Sequence, residues 1–213
     1  VLQEEQNGTG HAVMVTRDAL KGFEGDVIVL YGDTPFVQPE TLERMVKARA
    51  EHAVVVLGFE ADTSEKYGRL VMNGDMLDAI VEHADASDDI RNLSFCNSGV
   101  MLAQSSVLFE LLDATNNQNA SGEFYLTDVV KAARDKGLTA TAVSCDESET
   151  MGVNSRAHLA EAEAAFQARA RVELMTDGVT LVDPSSVFLS HDTVIGRDTI
   201  IEPNVFFGPN VTV

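Results

Sequence analysis

The sequence predicts two unlike parts joined end to end. An α/β domain with a mostly parallel sheet is expected over residues 1–154, and the opening coils of a parallel β-helix over 178–213, with a linker helix at 155–177 between them. Three observations carry that expectation. Apolar strands alternate with helical patterns through residues 1–145, the order that builds a sheet covered by helices. From Ser155 to Met175 an Ala-, Glu- and Arg-rich stretch runs as a long helix would, ending before Gly178. Beyond it Val182, Phe188, Val194, Ile200 and Phe206 recur every six residues, the last four each followed by an apolar residue (Leu189, Ile195, Ile201, Phe207), with Gly196 and Gly208 at one phase. Neither a helix nor an ordinary strand needs that period. A solenoid does, because each short strand is one face of a coil and its aliphatic residue stacks inward on the one before.

The elements of the first part follow in order. Val1–Gln3 reads as the end of a buried strand, and 8–20 as a helix that opens on glycines. The run DVIVLY at 26–31, β-branched and uncharged after its first residue, reads as a buried central strand. Residues 39–52 read as a helix with Pro39 in its first turn and Leu42, Met45, Val46 and Ala50 on one face. A strand at 53–60 comes next. Three more, at 69–72, 76–83 and 95–103, have no long helix between the first two and suggest a β-rich lobe inserted on the sheet. Residues 127–136 form a helix with Thr127 as N-cap and Gly137 at its end, and 139–145 returns to the sheet.

A chain of 213 residues with 45% hydrophobic content can hold one full core and a smaller appendage. The net charge of −19, from 15 basic and 34 acidic residues, excludes nucleic acid as a partner, since phosphate-backbone binding needs clustered Lys and Arg. A phosphorylated small molecule would need a cation or backbone amides to offset the repulsion. Cys96 and Cys145 form no spaced metal pattern and read as buried thiols of a reducing compartment. No apolar run approaches the roughly 18 residues of a membrane span, so no membrane role is expected and the location is cytoplasmic. Val1 in place of Met, and a solenoid that stops at Thr212 and Val213 without a polar cap, suggest a chain shortened at both ends.

Chemistry is best placed at Tyr31, Gly32, Asp33, Thr34 and Pro35, directly after a buried strand. Ligands of open sheets bind beyond the carboxyl ends of strands, where an Asp can hold Mg²⁺; equally, an Asp there can serve a tight turn through its own backbone. Gly8, Thr9, Gly10, His11 and Ala12 lead from strand to helix, a place where backbone can approach a base or phosphate closely, or where the chain merely turns; His11 is given no role. Glu82, among Ile80, Val81 and His83, and Asn97, before Ser98 and Gly99, can read sugar hydroxyls if the fold makes them converge. Taken singly, a Glu at a strand end is usually solvated and an Asn before such a pair is a turn residue. Asn154 has the form of a helix N-cap.

The motifs occur in a specific order: Gln3 with GTGHA at 8–12, YGDTP at 31–35, YGR at 67–69, IVEH at 80–83, NSG at 97–99, GEFYLTD at 122–128, GVNSR at 152–156, then the hexapeptide tail. Together they resemble the bifunctional bacterial N-acetylglucosamine-1-phosphate uridylyltransferase / glucosamine-1-phosphate acetyltransferase family over essentially the whole chain. The resemblance implies a Rossmann-like nucleotidyltransferase domain and a left-handed β-helix. It also implies Mg²⁺-dependent uridylyl transfer from UTP to N-acetylglucosamine 1-phosphate, giving UDP-N-acetylglucosamine and pyrophosphate. Carried over by position, it puts Gln3, Gly8 and Thr9 on the uracil, and Gly68, Glu82, Asn97 and Thr127 around the sugar. Tyr31 and Gly32 fall with the substrate-binding set, and Asp33 and Asn154 on the metal. That family also carries a glycine-rich loop with Arg and Lys for the triphosphate, which nothing before Val1 supplies. Its acetyl-CoA site, on later coils shared between subunits of a trimer, is likewise absent. The fragment is therefore expected to hold the uracil and sugar sides of the first site and to turn over little. Two other readings remain: a nucleotidyltransferase for ADP-glucose or GDP-mannose with a β-helix tail, and a non-catalytic module that trimerises through its coils.

Overall fold

The strand β2 (Val54–Glu60) is buried at every position but its last, and its period of two organises everything around it. Successive side chains of a strand point to opposite faces. Val54 and Val56 accordingly join one apolar cluster with Leu108, Leu111, Val129 and Ala133, while Val55 and Leu57 join another with Met45, Val100 and Leu102. A strand buried on both faces needs helices on both. Helices α4 (Ser105–Leu112) and α5 (Asp128–Asp135) supply the first cluster, and α2 (Pro39–Arg49) the second. Each aliphatic side chain so enclosed contributes about 1.5–3 kcal/mol. The structure, a computed structural model, describes residues 1–61 and 66–213. It divides into two units, Val1–Met151 and Gly152–Val213.

In the first unit β5 (Phe95–Gln104) is the hub. β2 pairs along one of its edges, and β1 (Asp26–Val29) and β3 (Arg69–Asn73) share the other, β1 at residues 101–104 and β3 at Cys96. β4 (Met76–Val81) extends the sheet beyond β3, and β6 (Ala140–Cys145) extends it beyond β2 as a parallel neighbour. Thus β1, β2, β3 and β6 point one way and β4 and β5 the other. Helix α1 (Thr9–Met14) precedes β1, and a one-turn helix, α3 (Asp88–Arg91), precedes β5. Cys96 and Cys145 both pair with Phe59, one on each side of it. Two strand spacings, about 9.5 Å, hold them beyond disulfide reach. Burial pushes both thiols up, Cys145 to about 12, so each is a neutral packing group.

Several expectations change here. Val1 and Leu2 are 82% and 79% exposed and pair with nothing, so they form no strand. The helix expected to reach Leu20 ends at Met14, where β-branched Val13, Val15 and Thr16 crowd the chain and the Thr16 hydroxyl donates to Val13 O (2.7 Å). The run at 26–31 is a four-residue strand, half-buried rather than central, because it pairs only with β5. On α2 the buried face is Thr41, Leu42, Met45 and Ala48, while Val46 and Ala50 are exposed. The apolar period there was displaced by Thr41, which has a polar partner described below. Helix α4 was not expected at all. Five of its eight residues are buried, and Ser105, Leu108, Phe109 and Leu112 stand at helical spacing, but the stripe begins on a serine and spans only two turns.

The second unit opens on α6 (Arg156–Thr176). Its N-cap is Ser155, whose hydroxyl accepts from His158 N (3.1 Å); Asn154 stands one residue before the cap and does not fill it. After Gly178 the hexads wind so that Phe188 bridges Phe206 and Val194 bridges Thr212 in parallel, three hexads apart. A short ladder joins β7 (Thr180–Leu181) to β8 (Ile200–Ile201). Leu189, Ile195, Ile201 and Phe207 are buried, each one residue after the exposed Phe188, Val194, Ile200 and Phe206, while in the first coil Leu181, one residue before the exposed Val182, is the buried one. Asp198, Asn204 and Asn210 set this phase. Each takes the left-handed turn conformation (φ 62–66°) at six-residue spacing, which Asp and Asn tolerate better than other side chains. α6 seals this core with Ala170 and Leu174, and the Gln167 amide pairs with both Leu189 O (2.7 Å) and Leu189 N (2.9 Å). Among the described residues no helix is long and apolar enough to cross a membrane.

Candidate functional site

Two distant segments are zipped together at the start of α1. Gly10 N donates to Phe124 O (2.8 Å), Phe124 N to Asn7 O (2.9 Å), and Leu126 N to the Thr9 hydroxyl (3.1 Å). The chain can pass this close only because Gly8 has φ +103° and no side chain; a Cβ there would lie 2.6 Å from Phe124 O. The Gln3 amide nitrogen donates to Gly8 O (3.2 Å) and lies 3.0 Å from His11 Nδ1, so both protons of that amide are directed into the turn.

Tyr31 leaves the end of β1 and lays its ring against Gly99, at φ +88°, where a Cβ would lie 2.3 Å from the ring. Burial holds the Tyr31 phenol above its ordinary value, a hydrogen bond with Thr9 acts against that, and the nearby Glu82 and Asp33 charges add to the rise. Gly99 N in turn donates to Asn97 Oδ1 (3.1 Å), and Asn97 N donates to Gly68 O (2.9 Å). Gly68 packs beside Glu82, whose Oε1 accepts from the Thr127 hydroxyl (3.1 Å). Thr127 is the N-cap residue of α5 by position, but its hydroxyl makes no capping bond and serves Glu82 instead. Beneath them Arg69, fully buried, donates to Tyr67 O (2.5 Å) and Arg91 O (3.3 Å).

Gln3, Gly8, Thr9, Tyr31, Gly68, Glu82, Asn97 and Thr127 therefore form one connected set around the carboxyl end of β1 and the hub strand. Gly32 and Asp33 follow Tyr31 as exposed residues, and the turn is tied by Thr34, whose N and hydroxyl both donate to Tyr31 O. A groove of about 770 Å³ beside them is lined by Thr9, Val13, Leu20, Val29, Tyr31 and Asp33, among others. Asn154 belongs to the second unit. Among the described residues no three His, Cys, Asp or Glu side chains gather as a metal cluster. Sequence reasoning assigned nothing to Gly99 or to the Phe124 backbone. Both lie inside motifs it had noticed, NSG and GEFYLTD, but their partners, Tyr31 and Gly8–Gly10, are remote in sequence.

The Glu82 carboxyl is held above its ordinary 4.5, first by burial and then by Asp85 and Asp128, against the Thr127 bond. The native chain thus binds this proton more tightly than the unfolded one. Stability from this group falls as pH rises from the unfolded value through the raised native one, and is level above it. Glu82→Gln is expected to raise the urea midpoint at about pH 7.5, with the gain shrinking toward about pH 4. A variant less stable than wild type at the higher pH would contradict this.

No family model matches the chain. Among curated proteins it is similar to "Bifunctional protein GlmU" of Ruegeria sp. strain TM1040, 63% identical over 93% of the chain and 44% of that protein. The GlmU of Roseobacter denitrificans is 58% identical over 98% of the chain and 46% of its own length. That of Paramagnetospirillum magneticum is 51% identical over 100% and 48%. The chain thus spans less than half the length of the curated relatives it matches. Among solved structures, the nucleoside-diphosphate-sugar pyrophosphorylase from Vibrio cholerae RC9 superposes with a TM-score of 0.57 at 15% identity, over 75% of this chain and 66% of that one. The likeness shows that the α/β fold is shared. Over the residues it spans, the chain is homologous to the bifunctional GlmU proteins.

Proposed function

We propose that the chain carries the uracil and sugar sides of a site for uridylyl transfer from UTP to N-acetylglucosamine 1-phosphate, with UDP-N-acetylglucosamine and pyrophosphate as products. The observation that supports this most is the continuity from Gly8 and Thr9 through Tyr31 and Gly99 to Asn97, Gly68, Glu82 and Thr127. It puts the residues assigned to the base next to those assigned to the sugar. Gln3 spends its amide nitrogen on Gly8 and His11; its carbonyl oxygen accepts from the uracil imide, and the Gly8 and Thr9 backbone flanks the ring. Asn97 spends its carbonyl oxygen on Gly99 N, so its amide NH₂ donates to the sugar. Glu82 accepts from sugar hydroxyls and Thr127 steadies that carboxyl. Tyr31 and Gly32 form the wall between the two halves.

Mg²⁺ is commonly held by one or two carboxylates together with substrate phosphates. Asp33, an exposed carboxylate at the carboxyl end of β1, fits that donor set. A cation held there would supply charge neutralisation between the phosphates. The sugar phosphate oxygen then attacks the α-phosphorus and pyrophosphate leaves, a displacement that needs alignment rather than a protein nucleophile. The reading also takes the hexads of the second unit as coils of a left-handed β-helix, supported by parallel bridges three hexads apart and left-handed turn residues every sixth position.

Calorimetric titration with UDP-N-acetylglucosamine tests the reading. Binding that requires Mg²⁺ and weakens about 10- to 100-fold in Asp33→Asn is expected. No heat at millimolar ligand in the wild type would reject it, and preference for an adenosine or guanosine diphosphate sugar would move it to another nucleotidyltransferase.

A further inference from the structure

Helix α2 begins immediately after the loop that carries Asp33, and its N-terminus is closed from a remote part of the chain. Its N-cap residue, Gln38, makes no side-chain capping bond. Instead Glu149, from the 3₁₀ turn Glu147–Thr150, uses both carboxylate oxygens: Oε2 accepts from Gln38 N (2.9 Å) and Oε1 from the Thr41 hydroxyl (3.1 Å). In a capping box the third helical residue is a Glu or Gln that reaches back to the N-cap N–H. Here that third residue is Thr41, and the carboxylate arrives from more than a hundred residues away. It also brings negative charge to the positive end of α2. Thr41 is 2% exposed, and Arg44 completes the group by donating to Thr41 Oγ1 (3.0 Å) and to Ser144 O (2.9 Å).

The consequence lies in the loop. Residues 32–37 are tied at their start by Thr34 to Tyr31 O and at their end by Glu149 to Gln38 N. Asp33 lies inside the first tie, the Tyr31–Thr34 turn, and the second tie fixes the exit of the same loop at Gln38. We propose that Glu149 is a positioning residue that holds the Asp33 loop in the geometry needed to present its carboxylate to the substrate-bound cation; this rests on the cation role proposed for Asp33. A partner that orients a metal ligand typically changes metal affinity 10- to 100-fold when removed.

Two readouts on the intact chain test this. Mn²⁺, visible by EPR, is titrated in place of Mg²⁺ in the presence of UDP-N-acetylglucosamine, and amide hydrogen exchange is followed across residues 31–41. Glu149→Ala is expected to weaken Mn²⁺ about tenfold and to speed exchange at 32–38 while free uridine binds as before. Glu149→Gln, which keeps an acceptor for Gln38 N, should recover most of both losses. Should Glu149→Ala fold poorly, Thr41→Val, which removes only the hydroxyl partner, is expected to shift both readouts less and in the same direction. Lower thermal stability with unchanged Mn²⁺ affinity and unchanged exchange would overturn the proposal. If the wild type takes up no Mn²⁺, the cation role of Asp33 falls, and equal exchange in wild type and variant then removes the loop-holding role as well.

Discussion

Replacing Gly8 by Ala is expected to cost about 3 kcal/mol or more and to abolish uridine binding. Two effects add. At φ +103° and ψ 175° the residue lies in a region that only glycine enters without strain, and any side chain there costs of order 1–3 kcal/mol. The added methyl would also stand 2.6 Å from Phe124 O, 2.8 Å from Glu123 Cβ and 3.0 Å from Phe124 N. Two of those three atoms are backbone, so no rotamer change clears them. Relief requires the 7–10 segment to part from 124–126, which breaks the bonds from Gly10 N and Phe124 N together. Urea unfolding followed by circular dichroism gives the stability, and a uridine titration under folding conditions gives the second loss. An Ala variant within about 1 kcal/mol of wild type would show that the two segments slide apart freely, contrary to the hydrogen bonding described.

How far the fold was legible varies by element for physical reasons. β2 could be read because VVVLGF is apolar throughout, and a run buried on both faces shows it whatever the partners are. β1 looks the same in sequence, yet it is half-buried, because exposure of an edge depends on which strand lies alongside and not on local composition. The face of α2 was shifted by one position when Thr41 found Glu149, a partner no periodicity reveals. The hexad period was visible but its phase was not. Two adjacent apolar residues per hexad leave the inward one undetermined until turn residues such as Asn204 and Asn210 fix the strand direction.

The site shows the same division. Glu82, Asn97 and Thr127 are each ordinary surface or turn residues in isolation, and only their order in the chain suggested a common role. The contacts that join them are long-range: Thr127 to Glu82 spans 45 residues, and Leu126 to Thr9 spans 117. Thr127 illustrates the limit. Its N-cap position was correct, but its hydroxyl stabilises a buried carboxyl more than it would a helix end, since hydrogen bonds to charged groups are the stronger kind.

Substituting Arg69 by Met should cost about 2–4 kcal/mol and weaken sugar binding, although Arg69 touches no proposed substrate position. Its guanidinium is fully buried and donates to Tyr67 O and Arg91 O, bridging the approach to Gly68 with the end of α3. Met fills similar volume without a donor, so the packing loss is small and the cost is that of two part-buried carbonyls stripped of a charged donor, at most roughly 1–3 kcal/mol each. Removal of the charge itself relieves some desolvation, which is why the sum stays below the largest values for core damage. The sugar side responds because Gly68 O accepts from Asn97 N and Gly68 packs beside Glu82. With the Tyr67 carbonyl no longer held by Arg69, the residue that spaces Asn97 from Glu82 loses one of its supports. Lys is not expected to rescue, since one ammonium on a flexible stem does not reproduce a planar fork aimed at two carbonyls. Urea midpoints and UDP-N-acetylglucosamine titrations on Arg69→Met and Arg69→Lys separate the two consequences. Both variants should bind the sugar nucleotide more weakly under conditions where they remain folded, while free uridine, for which Gln3, Gly8 and Thr9 are the proposed contacts, binds at wild-type strength. Equal loss of uridine and sugar-nucleotide affinity would mean that Arg69 supports the unit as a whole and not the sugar side of the site.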